Sequence, residues 1–356
     1  MQNFSWLLVD FVFFEDICNL NCKYCGDPNN IPEIALPNLS VLPFDMRKEN
    51  IIKLLFRIKN LLTPSIIKLS GGEIFCRPSE TLEICDIATR LFKKIQILTN
   101  GTLLNEKIIK HLCGKNRITL QFSLDGHTPE LNKYRFTSKK LIDHCLKNIK
   151  KVANYCDVEI NTVLTDTNTH GLTSFIRFIS KMREDTTYDI VIYPFPVRGH
   201  EDMLPKPEVY EKALKEIEYD SSLHDFLPPL TYLRELLEFL KEGRRLSPCY
   251  APLFVIGVNE HGYVQGCPCA EVYITNIANS VETKSLQVKF QRHLYSILVN
   301  GANYKVCKKC FTHYEVLSEY FRGTLSLKEL TLLPLFRGIE KDLMSIKAYI
   351  DKLKFS

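Results

Sequence analysis

The sequence contains no apolar run of about 18 residues, the length a helix needs to cross a bilayer. Its longest candidate, Phe4 to Phe14, is shorter, carries Asp10 and has no basic segment before it. It is therefore neither a membrane span nor a secretory signal, and it reads as the approach to a buried strand. No block of basic residues is present either. The 46 Lys and Arg are spread along the chain against 41 Asp and Glu, and a net charge of +5 over 356 residues gives no indication of nucleic acid. Internal repeats and low-complexity segments are missing too. What remains is an ordinary globular composition, 45% hydrophobic and 24% charged, in a chain long enough for one large domain and a smaller one. The expected location is the cytoplasm, with no membrane and no nucleic acid as partners.

Cysteine, by contrast, is plentiful: thirteen residues, an odd number. A reducing compartment disfavours disulfides, so clustered cysteines there read as metal ligands or catalytic groups. Cys18, Cys22 and Cys25 cluster near the start, and Cys249, Cys267, Cys269, Cys307 and Cys310 near the end. Cys76, Cys85, Cys113, Cys145 and Cys156 are scattered; Cys85 and Cys145 sit in helix-like patterns and read as plain buried thiols.

Between residue 11 and about 197, short β-rich runs alternate with amphipathic segments. The expected strands are Phe11–Glu15, Ile66–Ser70, Ile95–Thr99, Ile118–Ser123, Val158–Leu164 and Ile190–Phe195. Helical spacing runs through Ile51, Leu54, Leu55, Ile58, Leu61 and Leu62 behind Asp45 as N-cap, and recurs at Thr81–Lys93, Glu106–Cys113, Lys139–Val152 and Leu172–Met182. The alternation predicts an α/β fold with a parallel sheet, either a partial six-unit β/α barrel or an open doubly wound sheet. The expected organisation is a barrel over 1–200, a helical linker over 201–246, a small Cys-rich domain over 247–316 and a helical tail over 317–356. Pro205, Pro207, Pro228 and Pro229 mark the linker.

The segment Cys18-Asn-Leu-Asn-Cys22-Lys-Tyr-Cys25 offers three thiolates directly after a strand. A structural zinc site wants four closed ligands, and no His or fourth Cys lies nearer than Cys76. Three ligands on a four-iron cluster leave one iron open, which a reactive metal site requires. This spacing, with Tyr24 before the third Cys, resembles the signature of the radical S-adenosylmethionine (SAM) superfamily. Further matches end the next strands: Ser70-Gly71-Gly72-Glu73, Thr99-Asn100-Gly101, and Ser123-Leu124-Asp125-Gly126 followed by Arg135, with Asn161 and Val163 on the fifth strand. The resemblance implies a TIM-like partial barrel whose Cys18, Cys22 and Cys25 hold a catalytic [4Fe–4S] cluster. It gives Glu73 the amino group of SAM, and Asn161 and Val163 the adenine side. Their placement at strand C-termini is where β/α barrels keep active sites. A carboxylate at Glu73 suits an ammonium, and Ser123 or Asp125 suits ribose hydroxyls.

In the second cluster, Cys249-X17-Cys267 is followed at X39 by Cys307-X2-Cys310, with Gly262 to Cys267 leading a β-turn into the second thiol. This resembles the twitch form of the SPASM domain, which implies one auxiliary [4Fe–4S] cluster on Cys249, Cys267, Cys307 and Cys310. Cys269 is a competing ligand, and a zinc ribbon uses the same spacing. The resemblance implies an oxidoreductase or maturase that splits SAM to a 5′-deoxyadenosyl radical and takes a hydrogen atom from substrate. A reductant such as flavodoxin or ferredoxin would supply the electron. The expected substrate is a ribosomally made peptide, oxidised or crosslinked. The alternatives are a small metabolite such as an aminocyclitol or sugar, and a scaffold without turnover. The first strand starts early, leaving little room ahead of it for a leader-peptide-binding domain, which keeps the metabolite alternative open. Tyr193, Arg198 and His200 lie where a barrel mouth is expected, and no residue stands out as a substrate base.

Overall fold

The computed structural model describes residues 5–25, 44–113, 117–279, 283–304 and 306–353. Strands and helices alternate through the first part: β1 (Leu8–Val12), α1 (Phe44–Leu61), β2 (Ile66–Ser70), α2 (Pro78–Leu91), β3 (Lys94–Thr99), α3 (Glu106–Cys113), β4 (Ile118–Ser123), α4 (Lys139–Val152), β5 (Val158–Leu164), α5 (Leu172–Arg183) and β6 (Ile190–Pro196). All six strands pair in parallel, in the spatial order β6-β5-β4-β3-β2-β1. That order never reverses, whereas a doubly wound sheet reverses at its switch point. The architecture is a partial β/α barrel.

The first strand lies at Leu8–Val12 rather than Phe11–Glu15. Phe14, two residues beyond the strand, takes φ 54°, a left-handed backbone from which the chain crosses the C-terminal end of β2.

Beyond β6 come α6 (Pro207–Tyr219) and α7 (Leu230–Glu242). The chain then returns to the sheet. β7 (Val255–Asn259) pairs in parallel with the free edge of β1, Leu8 facing Val255, and β8 (Tyr263–Cys267) and β9 (Ala270–Asn276) continue antiparallel, giving nine strands. The Cys-rich part therefore shares one sheet with the barrel. Among the described residues, α8 (Thr283–Asn300), α9 (Glu315–Arg322), α10 (Leu327–Leu330) and α11 (Glu340–Leu353) follow. Among the described residues no helix is long and apolar enough to cross a membrane.

Alternation along the strands gives the sheet two unlike faces. Val9, Phe11, Ile67, Leu69, Ile95, Ile97, Leu120, Phe122 and Ile160 make a buried apolar face for the amphipathic helices. On the inner face, Asp10, Lys68, Gln96, Gln121 and Glu159 are buried as well. Lys68 Nζ stands 3.6 Å from Asp10, and Glu159 accepts from Gln96 and Gln121 at 2.5 and 3.1 Å. Barrel interiors are usually filled by branched apolar side chains; this one is polar.

Candidate functional site

The three N-terminal cysteines follow the left-handed turn at Phe14. Gly71 and Gly72, at the end of β2, let this segment cross. A Cβ on Gly71 would stand 1.9 Å from the Phe13 carbonyl oxygen, and one on Gly72 would stand 2.2 Å from that of Ile17. The crossing is pinned by Gly72 N–H to the Phe14 carbonyl at 3.3 Å and Glu73 N–H to the Ile17 carbonyl at 2.7 Å. On its other side, buried Arg47 of α1 salt-bridges Asp16 at 2.7 Å and Glu260 at 2.8 Å. The glycines thus serve the close approach of the cysteine segment itself.

From there the loop is tied strand end by strand end. Asn19 accepts from Asn100 Nδ2 at 2.9 Å and donates to Thr102 at 2.8 Å, both after β3. Lys23 N–H reaches the Tyr134 carbonyl at 2.8 Å. Tyr24 donates its hydroxyl to Asp125 at the end of β4, under the Arg135 guanidinium, which lies 5.4 Å from the ring centre. Asp125 also accepts from Arg135 Nε at 3.2 Å, Arg135 Nη2 at 3.1 Å and Val163 N–H at 3.0 Å. One buried carboxylate therefore joins the cysteine loop to β4, β5 and Arg135.

The thiols respond to this surrounding. Cys18 and Cys25 are exposed and Cys22 is half-buried. Burial pushes the Cys22 thiol up to about 11, with Arg135 opposing and the charges of Cys25, Asp125 and Cys18 adding to the rise. Cys18 is raised by burial and by Glu73 and Cys25. Three cysteines with no fourth in the loop would suit a cluster with one open iron. The Glu73 carboxylate is buried and accepts from Thr99 Oγ1 at 2.8 Å, Asn100 N–H at 2.6 Å and Phe75 N–H at 3.1 Å. Burial raises its pKa while those donors oppose. Asn161 Oδ1 is buried with no hydrogen-bond partner among the described residues, and Ser123 is half-buried beside it. An unpaired acceptor at a strand end fits a ligand that brings donors.

The C-terminal cysteines also come together. Cys249, Cys267, Cys269, Cys307 and Cys310 line one pocket with Arg245, Thr312, Tyr314 and Glu315. Donors point at three of the sulfurs: Cys269 N–H to Cys267 at 3.4 Å, Tyr304 N–H to Cys307 at 3.3 Å, and Ser318 Oγ to Cys249 at 3.7 Å. Hydrogen bonds from Cys267 and Cys310 hold the Cys269 thiol well below its usual range against the effect of burial, with the Arg198 charge adding to them. The pocket thus contains both Cys267 and Cys269. Among the described residues no three His, Cys, Asp or Glu side chains converge on a point where a single metal ion would sit. Of the other expected residues, Tyr193 is buried on the inner face, Arg198 lies beside Cys269 and Cys310, and His200 is half-exposed. Cys85 and Cys145 are buried, and so are Cys113 and Cys156, whose sulfurs lie 3.4 Å apart.

Sequence reasoning did not find Asn19, Arg245, Glu315, Ser318 or Tyr314. Asn19 sits inside the cysteine motif and was open to notice; the others carry no local signal.

Residues 12–179 match the radical SAM superfamily. The subtilosin biosynthesis protein AlbA of Bacillus subtilis is 32% identical over 139 residues, 39% of this chain and 29% of that protein. The AdoMet-dependent heme synthase of Methanosarcina barkeri is 26% identical over 199 residues, 55% of this chain and 54% of that one. The chain thus spans about half or less of these curated relatives' length. Streptococcus suis SuiB, crystallised with its precursor peptide SuiA, superposes with a TM-score of 0.58 at 14% identity over 88% of this chain and 74% of that one, a likeness of fold.

Proposed function

The chain belongs to the radical SAM superfamily through its residues 12–179, and from that premise we propose that it reductively cleaves SAM and uses the 5′-deoxyadenosyl radical to oxidise or crosslink a ribosomally made peptide. The observation that carries the SAM part is the cysteine loop pinned across Gly71 and Gly72, with Asn19 and Tyr24 fastened to the ends of β3 and β4.

In this reading Cys18, Cys22 and Cys25 hold a [4Fe–4S] cluster, which supplies the electron that splits SAM. Glu73 and Asn100 line the side expected for the methionine portion, with Ser123 for the ribose and Asn161 and Val163 for the adenine. Asp125, Arg135 and Tyr24 keep the loop in register with those strand ends. The polar inner face gives a substrate hydrogen-bonding groups inside the barrel. Cys249, Cys267 or Cys269, Cys307 and Cys310 hold an auxiliary cluster, a reading supported by their common pocket and the donors aimed at its sulfurs. The peptide substrate is supported by the names of AlbA and of SuiB with SuiA. A small-molecule substrate is the second reading, favoured by the heme synthase, which matches more of this chain than AlbA does.

Anaerobically reconstituted protein, given SAM and dithionite, should form 5′-deoxyadenosine. The triple variant C18A/C22A/C25A should form none while keeping iron at the second site. Continued 5′-deoxyadenosine formation by that variant sinks the proposal.

A further inference from the structure

Arg245 follows α7 and lines the cysteine pocket; Arg198 lies beside Cys269 and Cys310 as a second cation. Its Nε and Nη2 both donate to the Cys310 carbonyl, at 3.1 and 2.8 Å, and its backbone N–H donates to the Lys308 carbonyl at 2.7 Å. Nη1 meets Glu315, the first residue of α9, whose side chain has 0% exposure. Glu315 is shared: Arg322 Nη1 donates to it at 3.0 Å and to the Pro248 carbonyl, next to Cys249, also at 3.0 Å. Arg322 Nη2 reaches Glu235 of α7 at 2.5 Å. Two arginines on one buried carboxylate thus hold the backbone beside the first and last cysteines of the pocket.

Burying such a network brings no assured stability, since a buried ion pair often does no better than apolar side chains of similar size. What it brings here is a guanidinium fixed beside five cysteines in one pocket. Two of its nitrogens grip the Cys310 carbonyl, which keeps its charge at the last cysteine of the set. A cation in that place also favours the more anionic, reduced state of a cluster, because charge and hydrogen bonding around the sulfurs set its potential.

We propose that Arg245 is a positioning residue for an iron–sulfur cluster in this pocket, gripping Cys310 and raising the cluster's reduction potential by its charge. The inference rests on the reading that the pocket holds such a cluster, and the experiment separates the two. In the C18A/C22A/C25A background only the second site is loaded. If that protein, with Arg245 intact, takes up no iron and sulfide, the cluster reading fails whatever Arg245 does. With iron bound, a potentiometric titration followed by electron paramagnetic resonance compares R245M and R245K. R245M should lower the reduced-to-oxidised ratio at a fixed potential at least tenfold, which is 59 mV for one electron. R245K, which keeps the charge, should stay within threefold of the parent. An R245M titration that superposes on the parent overturns the proposal. Should R245M fail to hold iron, R245K decides: cluster retained near the parent potential supports it, and cluster lost or the potential fallen tenfold overturns it.

Discussion

Asn at position 125 would keep the shape of the side chain and remove the charge on which Tyr24, Arg135 and Val163 converge. Both partners of the ion pair are buried, with side-chain exposures of 8% for Arg135 and 2% for Asp125. Removing one member of such a pair leaves the other uncompensated and costs about 3–5 kcal/mol. The Tyr24 hydrogen bond loses its charged acceptor as well, but its share of about 1.5–3 kcal/mol overlaps with the first figure, and the two do not add. We therefore expect D125N to lose about 3–5 kcal/mol in urea unfolding of the metal-free protein followed by circular dichroism. R135M should recover part of that loss in the double variant, with a coupling of at least about 1 kcal/mol. Because Tyr24 lies between Cys22 and Cys25, D125N should also take up less iron at the first site. A loss below about 1 kcal/mol, the worth of an ordinary hydrogen bond, or strict additivity in the double variant, would refute the view that this carboxylate holds the loop.

Two further perturbations are small in chemistry and large in expected effect. Gly72→Ala places a Cβ 2.2 Å from a backbone oxygen of the cysteine segment, so that segment must move; a loss of about 1–3 kcal/mol is expected from overpacking, with a fall in iron at the first site, and normal iron loading would count against the close-approach argument. Burial raises Glu159 to about 7, so the folded state holds its proton where the unfolded state has released it. Stability should therefore fall as pH rises from about 4.5 to 7, by up to about 1.4 kcal/mol per pH unit, and E159Q should flatten that part of the profile; an unchanged slope in E159Q would place the dependence elsewhere.

Much of the barrel is legible because each unit is local. The runs Ile66–Ser70, Ile118–Ser123 and Val158–Leu164 become strands with those bounds, since apolar β-branched residues between helical patterns carry their own signal. The strand ends gather the motif residues for the same reason. What the sequence hides is long-range. No local pattern says that Val255 pairs with Leu8, and the left-handed turn at Phe14 is set by the segment that must cross Gly71 and Gly72. The polar inner face was partly readable: Asp10, Lys68, Gln96, Gln121 and Glu159 each interrupt an apolar strand, and such interruptions inside a buried sheet point to a polar interior. Arg245 and Glu315 were not readable, because charged residues in linker and tail look the same whether solvated or buried.

The same long-range contacts bear on whether the Cys-rich part is a separable unit. The sequence suggests an appended domain after residue 246, yet β7 extends the barrel sheet along β1 through five register pairs, Leu8 with Val255 to Val12 with Asn259. Tyr314 lines the cysteine pocket and donates its hydroxyl to Asp10 of β1 at 3.3 Å; Asp10 in turn accepts from Ser70 at 2.5 Å, directly before Gly71, Gly72 and Glu73. A continuous hydrogen-bonded path thus joins the C-terminal pocket to the glycines that seat the first cysteine loop. Ending the chain after Leu246 would bare the apolar edge of β1, a template for aggregation, and would leave Asp10 and Lys68 without Tyr314. Such a fragment should be insoluble or should fail to load iron at Cys18, Cys22 and Cys25, as read by gel filtration and iron analysis. A soluble monomer that loads the first site as the full chain does would show that the barrel folds alone, and that the shared strand and the Tyr314–Asp10–Ser70 path are not what keeps the two cysteine sites in one structure.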